Sequence, residues 1–152
     1  MHRDEWNRAM LAAVAETLES MAFMEVATAS EPAATDDLAW ASLLVHDPTP
    51  GEFRLVIASP LLRAIGENIY GPTAAISAPQ MEDLLSELLN TVVGRFMGKI
   101  FPLEALRLGI PVPGQGPCPE AESTALAWHF QAEGLPLSMV ASGAPLLLLC
   151  PP

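Results

Sequence analysis

The feature that most constrains the fold of this chain is a long amphipathic stretch, residues 78–100. Ser77 and Gln80 have the spacing of a capping box, and Pro79 falls in the first turn, so the sequence predicts that a helix begins here. Its apolar residues recur at helical spacing and form one broad face: Met81, Leu84, Leu85, Leu88, Leu89, Val92, Val93, Phe96, Met97 and Ile100. Such a helix is stable only when that face is buried, so the rest of the chain has to supply a second layer.

A second long helix is predicted over residues 3–25, where Trp6, Met10 and Val14 recur at helical spacing. The small, polar and acidic residues 27–37 that follow predict a loop. The chain therefore offers two long helices whose apolar faces can share one buried layer.

Strand-like patterns fill most of the remaining sequence. Residues 38–46 and 52–59 predict a β-hairpin, because the turn-forming sequence Asp-Pro-Thr-Pro-Gly at 47–51 separates two stretches with strand character. Three further strands are expected over residues 105–112, 123–132 and 136–149, the last one interrupted near 142–143.

A short helix is expected over residues 59–70, with Ser59 as its N-cap and Pro60 at its first position. The order of elements is then helix, hairpin, short helix, long helix and strands. This order predicts an α+β fold with two long helices packed on an antiparallel β-sheet. No segment has the composition of a linker, so residues 1–152 are expected to form a single domain.

The charge balance argues against several kinds of partner. Seven basic residues and eighteen acidic ones give a net charge of −11, so neither nucleic acid nor an anionic membrane is an expected partner. The longest apolar run, 146–149, is far shorter than the roughly 20 residues that span a bilayer. The N-terminus lacks the apolar stretch of a signal peptide. Cys118 and Cys150 form no CxxC pattern and fit a reducing compartment, so we expect a cytoplasmic protein.

Common catalytic and cofactor motifs are missing from the sequence. It contains no phosphate-binding glycine loop, no GxSxG nucleophile elbow and no HExxH zinc motif. His2, His46 and His129 stand far from one another and from the cysteines, so no metal-ligand spacing occurs. We expect His46 and His129 to be ordinary strand residues, and we expect no metal or cofactor of the protein's own.

The polar face of residues 78–100 is the part of the sequence that most suggests chemistry. Glu87 and Asn90 are three positions apart, so their side chains project from one side of the helix, one turn apart. Gly94 continues this line, although glycine inside a helix costs about 1 kcal/mol relative to alanine. A backbone that passes close by, from this protein or from a partner, would explain the glycine. Taken alone, the pair also fits an ordinary solvated helix face.

Three segments share their pattern with one known protein family. Residues 18–26 end the first predicted helix, residues 87–94 are Glu-Leu-Leu-Asn-Thr-Val-Val-Gly, and residues 108–114 are Leu-Gly-Ile-Pro-Val-Pro-Gly. In this order they resemble the first helix, the signature helix and the I-x-P-P-x-V-x-x-G strand motif of the CheC/CheX/FliY family of bacterial chemotaxis phosphatases. In the CheX branch a glycine follows the signature asparagine by four residues, as Gly94 follows Asn90.

The resemblance implies a function and a site. It implies a phosphatase that accelerates hydrolysis of the acyl phosphate on a phosphorylated CheY-like response regulator. Asn90 would orient the attacking water, and Glu87 would pair with the regulator's lysine. The residues expected to contact the partner surround this pair: Asp83, Ser86, Thr91 and Gly94. The regulator would hold the Mg²⁺ ion, and the CheX branch also implies a homodimer formed through a sheet edge.

One departure from the family and two alternative functions remain. CheC proteins carry the motif on both long helices, whereas Glu19 stands where the asparagine would be in the first helix here, so one site per chain is expected. One alternative is a non-catalytic CheC-like interaction module that binds a signalling partner. The other is a small-molecule sensor with an apolar pocket between helix and sheet.

Overall fold

The computed structural model describes residues 2–32, 36–73 and 75–150. The helices are α1 (Arg3–Ala22), α2 (Ser59–Tyr70), α3 (Ala78–Ile100) and α4 (Ala144–Leu147). The strands are β1 (Ala27–Thr28), β2 (Leu38–Asp47), β3 (Gly51–Ala58), β4 (Arg107–Leu108), β5 (Val112–Pro113), β6 (Leu126–Ala132) and β7 (Leu135–Ser142). The predicted α+β fold is confirmed, with the long helices α1 and α3 packed together and against the sheet.

The strands of the described ranges form an antiparallel sheet with the order β1-β6-β7-β3-β2-β4, and β5 also pairs with β2. The predicted hairpin is confirmed as β2 and β3, in which Leu38 lies opposite Ala58 and Val45 lies opposite Gly51. The short strands β1, β4 and β5 therefore lie at the two edges of the sheet. No helix in these ranges combines the length and the apolar composition that a membrane span needs.

The core lies between the helices and one face of the sheet, and Phe96 of α3 is at its centre. The Phe96 ring meets Trp6 of α1 at 5.5 Å, Phe53 of β3 at 5.6 Å and Trp128 of β6 at 5.8 Å between ring centroids. Aromatic pairs at such distances add about 0.5–1.5 kcal/mol each beyond the burial of their surface. Phe96 therefore ties α3 to α1 and to two strands, which fixes the face that α3 turns to solvent.

The ends of the first two helices differ from the prediction. α1 ends at Ala22, three residues early, because Phe23 adopts a left-handed conformation with φ of 57°. The N–H of Met24 then returns to the carbonyl of Leu18 at 3.2 Å, which closes the helix. In α2, Ser59 is the first helical residue instead of the N-cap, and no side chain caps this helix.

Two predicted stretches are divided differently in the structure. Residues 27–37 were expected to be a loop, but they contain β1, in which Ala27 pairs with Gln131 of β6. Residues 33–35 of this stretch lie outside the described residues. Residues 105–112 are not one strand, because β4 pairs with the end of β2 and β5 with its middle. Pro111 and Pro113 have no N–H to donate, which prevents a continuous ladder.

The last predicted strands are shorter than expected. β6 begins at Leu126 instead of residue 123, and β7 ends at Ser142 instead of running to residue 149. Gly143 has a φ of 106°, so the chain changes direction there and β7 ends. The leucine-rich tail then forms the short helix α4, and its buried Leu146 side chain lies against Gly51.

Candidate functional site

Helix α3 carries the whole predicted site on its solvent side. Asp83 and Glu87 are exposed, whereas the other predicted residues, Ser86, Asn90, Thr91 and Gly94, are partly buried. The predicted capping box is confirmed, since Ser77 Oγ accepts from the N–H of Gln80 at 3.3 Å and Gln80 Oε1 accepts from the N–H of Ser77 at 2.9 Å. This arrangement fixes the first turn of the helix that carries the site.

The opposite side of α3 is locked into the core. Leu88 and Leu89, which lie between Glu87 and Asn90 in the sequence, are 1% and 0% exposed. Val92 and Val93 are buried one turn further along. Because this apolar face cannot rotate out of the core, the polar pair is held at the surface in a defined orientation.

Glu87 is an exposed carboxylate with one hydrogen-bond donor nearby. Thr91 Oγ1 donates to Glu87 Oε1 at 3.3 Å, one turn further along α3. Within the described ranges no lysine, arginine or histidine nitrogen lies within 4 Å of this carboxylate. Glu87 can therefore accept a cation from outside the protein.

Asn90 is a partly buried amide that is available for binding. Its side chain makes no hydrogen bond to another residue of the described chain. Residues three positions apart on a helix have Cβ atoms about 5–6 Å from each other, so one partner surface can contact both Glu87 and Asn90. The amide offers two donors and an acceptor oxygen without needing to ionise.

Gly94 faces open space. A Cβ atom added to Gly94 would meet no heavy atom within 4 Å, and the same holds for Gly98 one turn further along. Among the described residues, no backbone of this protein passes close to Gly94. The explanation of the glycine by a backbone of the same chain is therefore wrong, and a partner's backbone is the explanation that is left. The surface beside Glu87 and Asn90 is instead free for close approach from outside.

The basic residues near the C-terminal end of α3 are paired with α1. Glu16 of α1 lies 3.0 Å from Lys99 Nζ and 3.8 Å from Arg95 Nη1. Arg95 Nη2 also donates to Ser20 Oγ at 3.4 Å. No local sequence pattern predicts this cluster, because its residues are 75 or more positions apart in the chain. The surface of α1 is therefore occupied by ion pairs where a second site would lie.

The other candidate groups have ordinary surroundings. His46 is exposed, and His129 Nδ1 lies 2.7 Å from Ser138 Oγ, so both are the ordinary strand residues that were predicted. In the part of the chain that the structure describes, no group of three or more histidine, cysteine, aspartate or glutamate side chains could hold a metal ion.

A cleft of about 290 Å³ lies beside Leu62, Met81 and Leu85. Its volume is just below the ~300–1,000 Å³ of typical ligand sites.

Comparison with known proteins identifies the fold. At the level of sequence, no family model and no curated protein matches this chain. Among solved structures, the chemotaxis protein CheX from Desulfovibrio desulfuricans matches with a TM-score of 0.75 at 12% identity, over 91% of this chain and 98% of that chain. A CheC-like superfamily protein from Shewanella sp. PV-4 matches with a TM-score of 0.67 at 17% identity, over 91% and 98% of the two chains.

A third solved structure is the CheX–CheY–BeF₃–Mg²⁺ complex from Borrelia burgdorferi, which matches with a TM-score of 0.60 at 9% identity, over 90% of this chain and 96% of that chain. These matches define the class of fold, an α+β domain of the kind found in chemotaxis proteins. The chain has the fold of the CheC/CheX/FliY family. The fold that the resemblance in the sequence implies is therefore confirmed.

Proposed function

We propose that this chain is a phosphatase of the CheX type, which accelerates the dephosphorylation of a phosphorylated CheY-like response regulator. The observation that carries the proposal is the position of Glu87 and Asn90. They stand one turn apart on the free face of a helix whose other face is buried. The fold that carries them is shared with a CheX protein solved in complex with CheY.

Asn90 is the proposed catalytic residue. Hydrolysis of an acyl phosphate is a phosphoryl transfer in which water attacks phosphorus and the carboxylate leaves with the electrons of the broken P–O bond. Positioning and charge stabilisation supply most of the catalysis in such reactions. The Asn90 amide oxygen can accept a hydrogen bond from the attacking water and hold it in line. Positioning of this kind contributes up to roughly 7–11 kcal/mol in favourable cases.

Glu87 is the proposed docking residue. Its carboxylate lies at the surface with no cation of the described chain within 4 Å, so it would pair with the regulator's lysine. A charge pair at an interface contributes orientation and encounter rate more than net affinity. Asp83, Ser86 and Thr91 would extend the contact along α3, and Gly94 would let the partner's surface come close.

The regulator would supply the remaining chemistry. We propose that the Mg²⁺ ion and the phosphoryl group both belong to the regulator, so that this chain acts without a cofactor of its own. If the regulator supplies these groups, two side chains on one rigid helix would be enough to form the site. We also propose that the protein acts in the cytoplasm, where it would meet a regulator phosphorylated in a two-component pathway.

One site per chain is proposed, because Glu16 of α1 is engaged by Lys99 and Arg95. We also propose a homodimer formed through the edge of the sheet that carries β4 and β5. Ile110 and Val112 support this, since their side chains are 86% and 59% exposed at that edge. Apolar side chains exposed together at a strand edge favour pairing with another chain.

The test is the rate at which response regulators charged with acetyl phosphate lose their phosphoryl group, with the wild-type protein and with Asn90→Ala. A phosphatase that uses Asn90 loses activity in the variant. A non-catalytic interaction module would bind the regulator and leave the rate unchanged in both cases.

A further inference from the structure

A groove of about 430 Å³ lies between the N-terminal half of α1 and the edge of β6, and no residue of α3 lines it. Arg3, Asn7 and Arg8 line its helix side, and Ala127 lines its strand side. Its volume falls within the ~300–1,000 Å³ typical of ligand sites. The groove shares no residue with the proposed phosphatase site, so it requires an explanation of its own.

The charge of the groove is opposite to the charge of the protein. Arg3 and Arg8 line it and no acidic residue does, although the chain has eighteen acidic residues and seven basic ones. Asp4 and Glu5 lie on the same turn of α1 but outside the lining, and no described carboxylate lies within 4 Å of either arginine. Burial lowers the pKa of His129, which favours the uncharged ring. Four further clefts are each lined by at least one glutamate.

The strand side of the groove offers unpaired backbone groups. β1 pairs with β6 only through Ala27 and Thr28, and just beyond it the Ala29 N–H donates to the carbonyl of His129 at 2.8 Å. Residues two positions apart in a strand direct their backbone groups to the same edge. The N–H and C=O of the exposed Ala127 therefore face outward, and no strand of the described ranges pairs with them on that side.

We infer that this groove binds an acidic peptide segment of another protein in an extended conformation, as a further strand beside β6. Ala127 would exchange two backbone hydrogen bonds with it, as in other cases of strand addition. Alternate side chains of a strand share a face, so carboxylates at every second position would reach Arg3 and Arg8 beside the half-buried Leu11. The net charge of −11 would repel a long polyanion that extends beyond the groove. A short acidic segment would contact only the two arginines of the groove.

The charge requirement is tested by fluorescence anisotropy with the labelled peptide Thr-Glu-Val-Glu-Thr-Glu at low salt. The peptide is expected to bind, and the same peptide with lysine in place of glutamate is not. The double variant Arg3→Gln/Arg8→Gln is expected to bind at least tenfold more weakly. Arg63→Gln is the matched control, because Arg63 is exposed on α2 and does not line the groove.

The strand requirement is tested by methylating every second backbone nitrogen of the peptide, which keeps the side chains and removes the donors. Binding at least tenfold weaker is expected. Unchanged binding of this peptide, equal binding of the lysine peptide, or full binding by Arg3→Gln/Arg8→Gln would each overturn the inference. Equal competition by free glutamate or inorganic phosphate would overturn it in favour of a small-anion site.

Two further measurements distinguish peptide binding in the groove from self-association and from the phosphatase site. A doubled mass in light scattering that Arg3→Gln/Arg8→Gln abolishes would assign the groove to a second copy and overturn the inference. Asn90→Ala is expected to bind the acidic peptide as the wild type does. Failure of the phosphatase proposal would therefore leave this result intact, and failure of the peptide to bind would leave the phosphatase proposal intact.

Discussion

Thr91 Oγ1 lies 3.3 Å from Glu87 Oε1, one turn further along α3. The hydroxyl donates to a carboxylate that has no cation of the described chain within 4 Å. Glu87 is thus the one charged member of the proposed pair, and Thr91 restricts the directions in which its carboxylate can turn. Both residues lie on the surface that we propose for docking.

Thr91→Val removes this hydrogen bond and keeps the shape of the side chain. A single hydrogen bond contributes about 0.5–1.5 kcal/mol, so KM for the phosphorylated regulator is expected to rise about two- to tenfold. Because Thr91 is not expected to touch the attacking water, kcat should stay unchanged. Steady-state measurements at several regulator concentrations separate the two constants, and a fall in kcat as large as that of Asn90→Ala contradicts the docking role.

Glu87→Gln removes the charge that would pair with the regulator's lysine. Hydrogen bonds to charged groups contribute about 1.5–3 kcal/mol, so kcat/KM is expected to fall about ten- to hundredfold. The kcat/KM of the variant should also change less with salt concentration than that of the wild type. Glu104→Gln is the control, because Glu104 is exposed and lies beyond the end of α3. Equal losses in both variants would mean that overall charge matters and the position of Glu87 does not.

Gly94→Ala separates helix stability from docking. A Cβ at Gly94 or Gly98 meets nothing in the described chain, so alanine at either position is expected to stabilise the fold by about 0.5–1 kcal/mol. For a chain of this size that raises Tm by about 1–4 °C. Only Gly94→Ala should weaken binding to the regulator in titration calorimetry. Wild-type affinity in both variants would refute the proposed close approach at Gly94.

Phe96→Ala tests the anchor that orients the site. Removal of a buried phenylalanine costs about 3–5 kcal/mol, and here it also removes the ring contacts with Trp6, Phe53 and Trp128. Phe23→Ala is the control, because that ring is 84% exposed and should change the free energy of unfolding by less than about 0.5 kcal/mol. Urea unfolding measures both values. Similar values for the two variants would show that Phe96 does not anchor α3.

The parts of the fold that the sequence predicted depend on strong local patterns. The bounds of α3 followed from the Ser77–Gln80 capping box and a long helical stripe, and the β2–β3 hairpin followed from its turn residues. The errors lie where distant contacts decide. β4 and β5 are separate because each pairs with a different part of β2, and the run Leu146–Leu149 fits a strand or a helix equally well by composition.

The candidate site could be located from the sequence because both of its residues lie on one helix. Spacing alone places Glu87 and Asn90 on one side, and the structure adds that the Asn90 amide makes no hydrogen bond within the described chain. The ion pairs of Glu16 and the groove between Arg3 and Ala127 had no local signal. They join residues far apart in the chain, which only the packed fold brings together.

The most direct test of the central claim is the dephosphorylation rate of CheY-like regulators from the same genome, measured with saturating wild-type protein and with Asn90→Ala. Calorimetric binding of each protein to the regulator and thermal unfolding serve as controls for docking and folding. We expect the wild type to accelerate the loss of phosphate from one regulator. We expect Asn90→Ala to bind that regulator but to lose activity on the order of 10²-fold or more, as when one positioned polar group is removed from an active site. Full acceleration by Asn90→Ala, or no acceleration of any regulator by the wild type, would contradict the account.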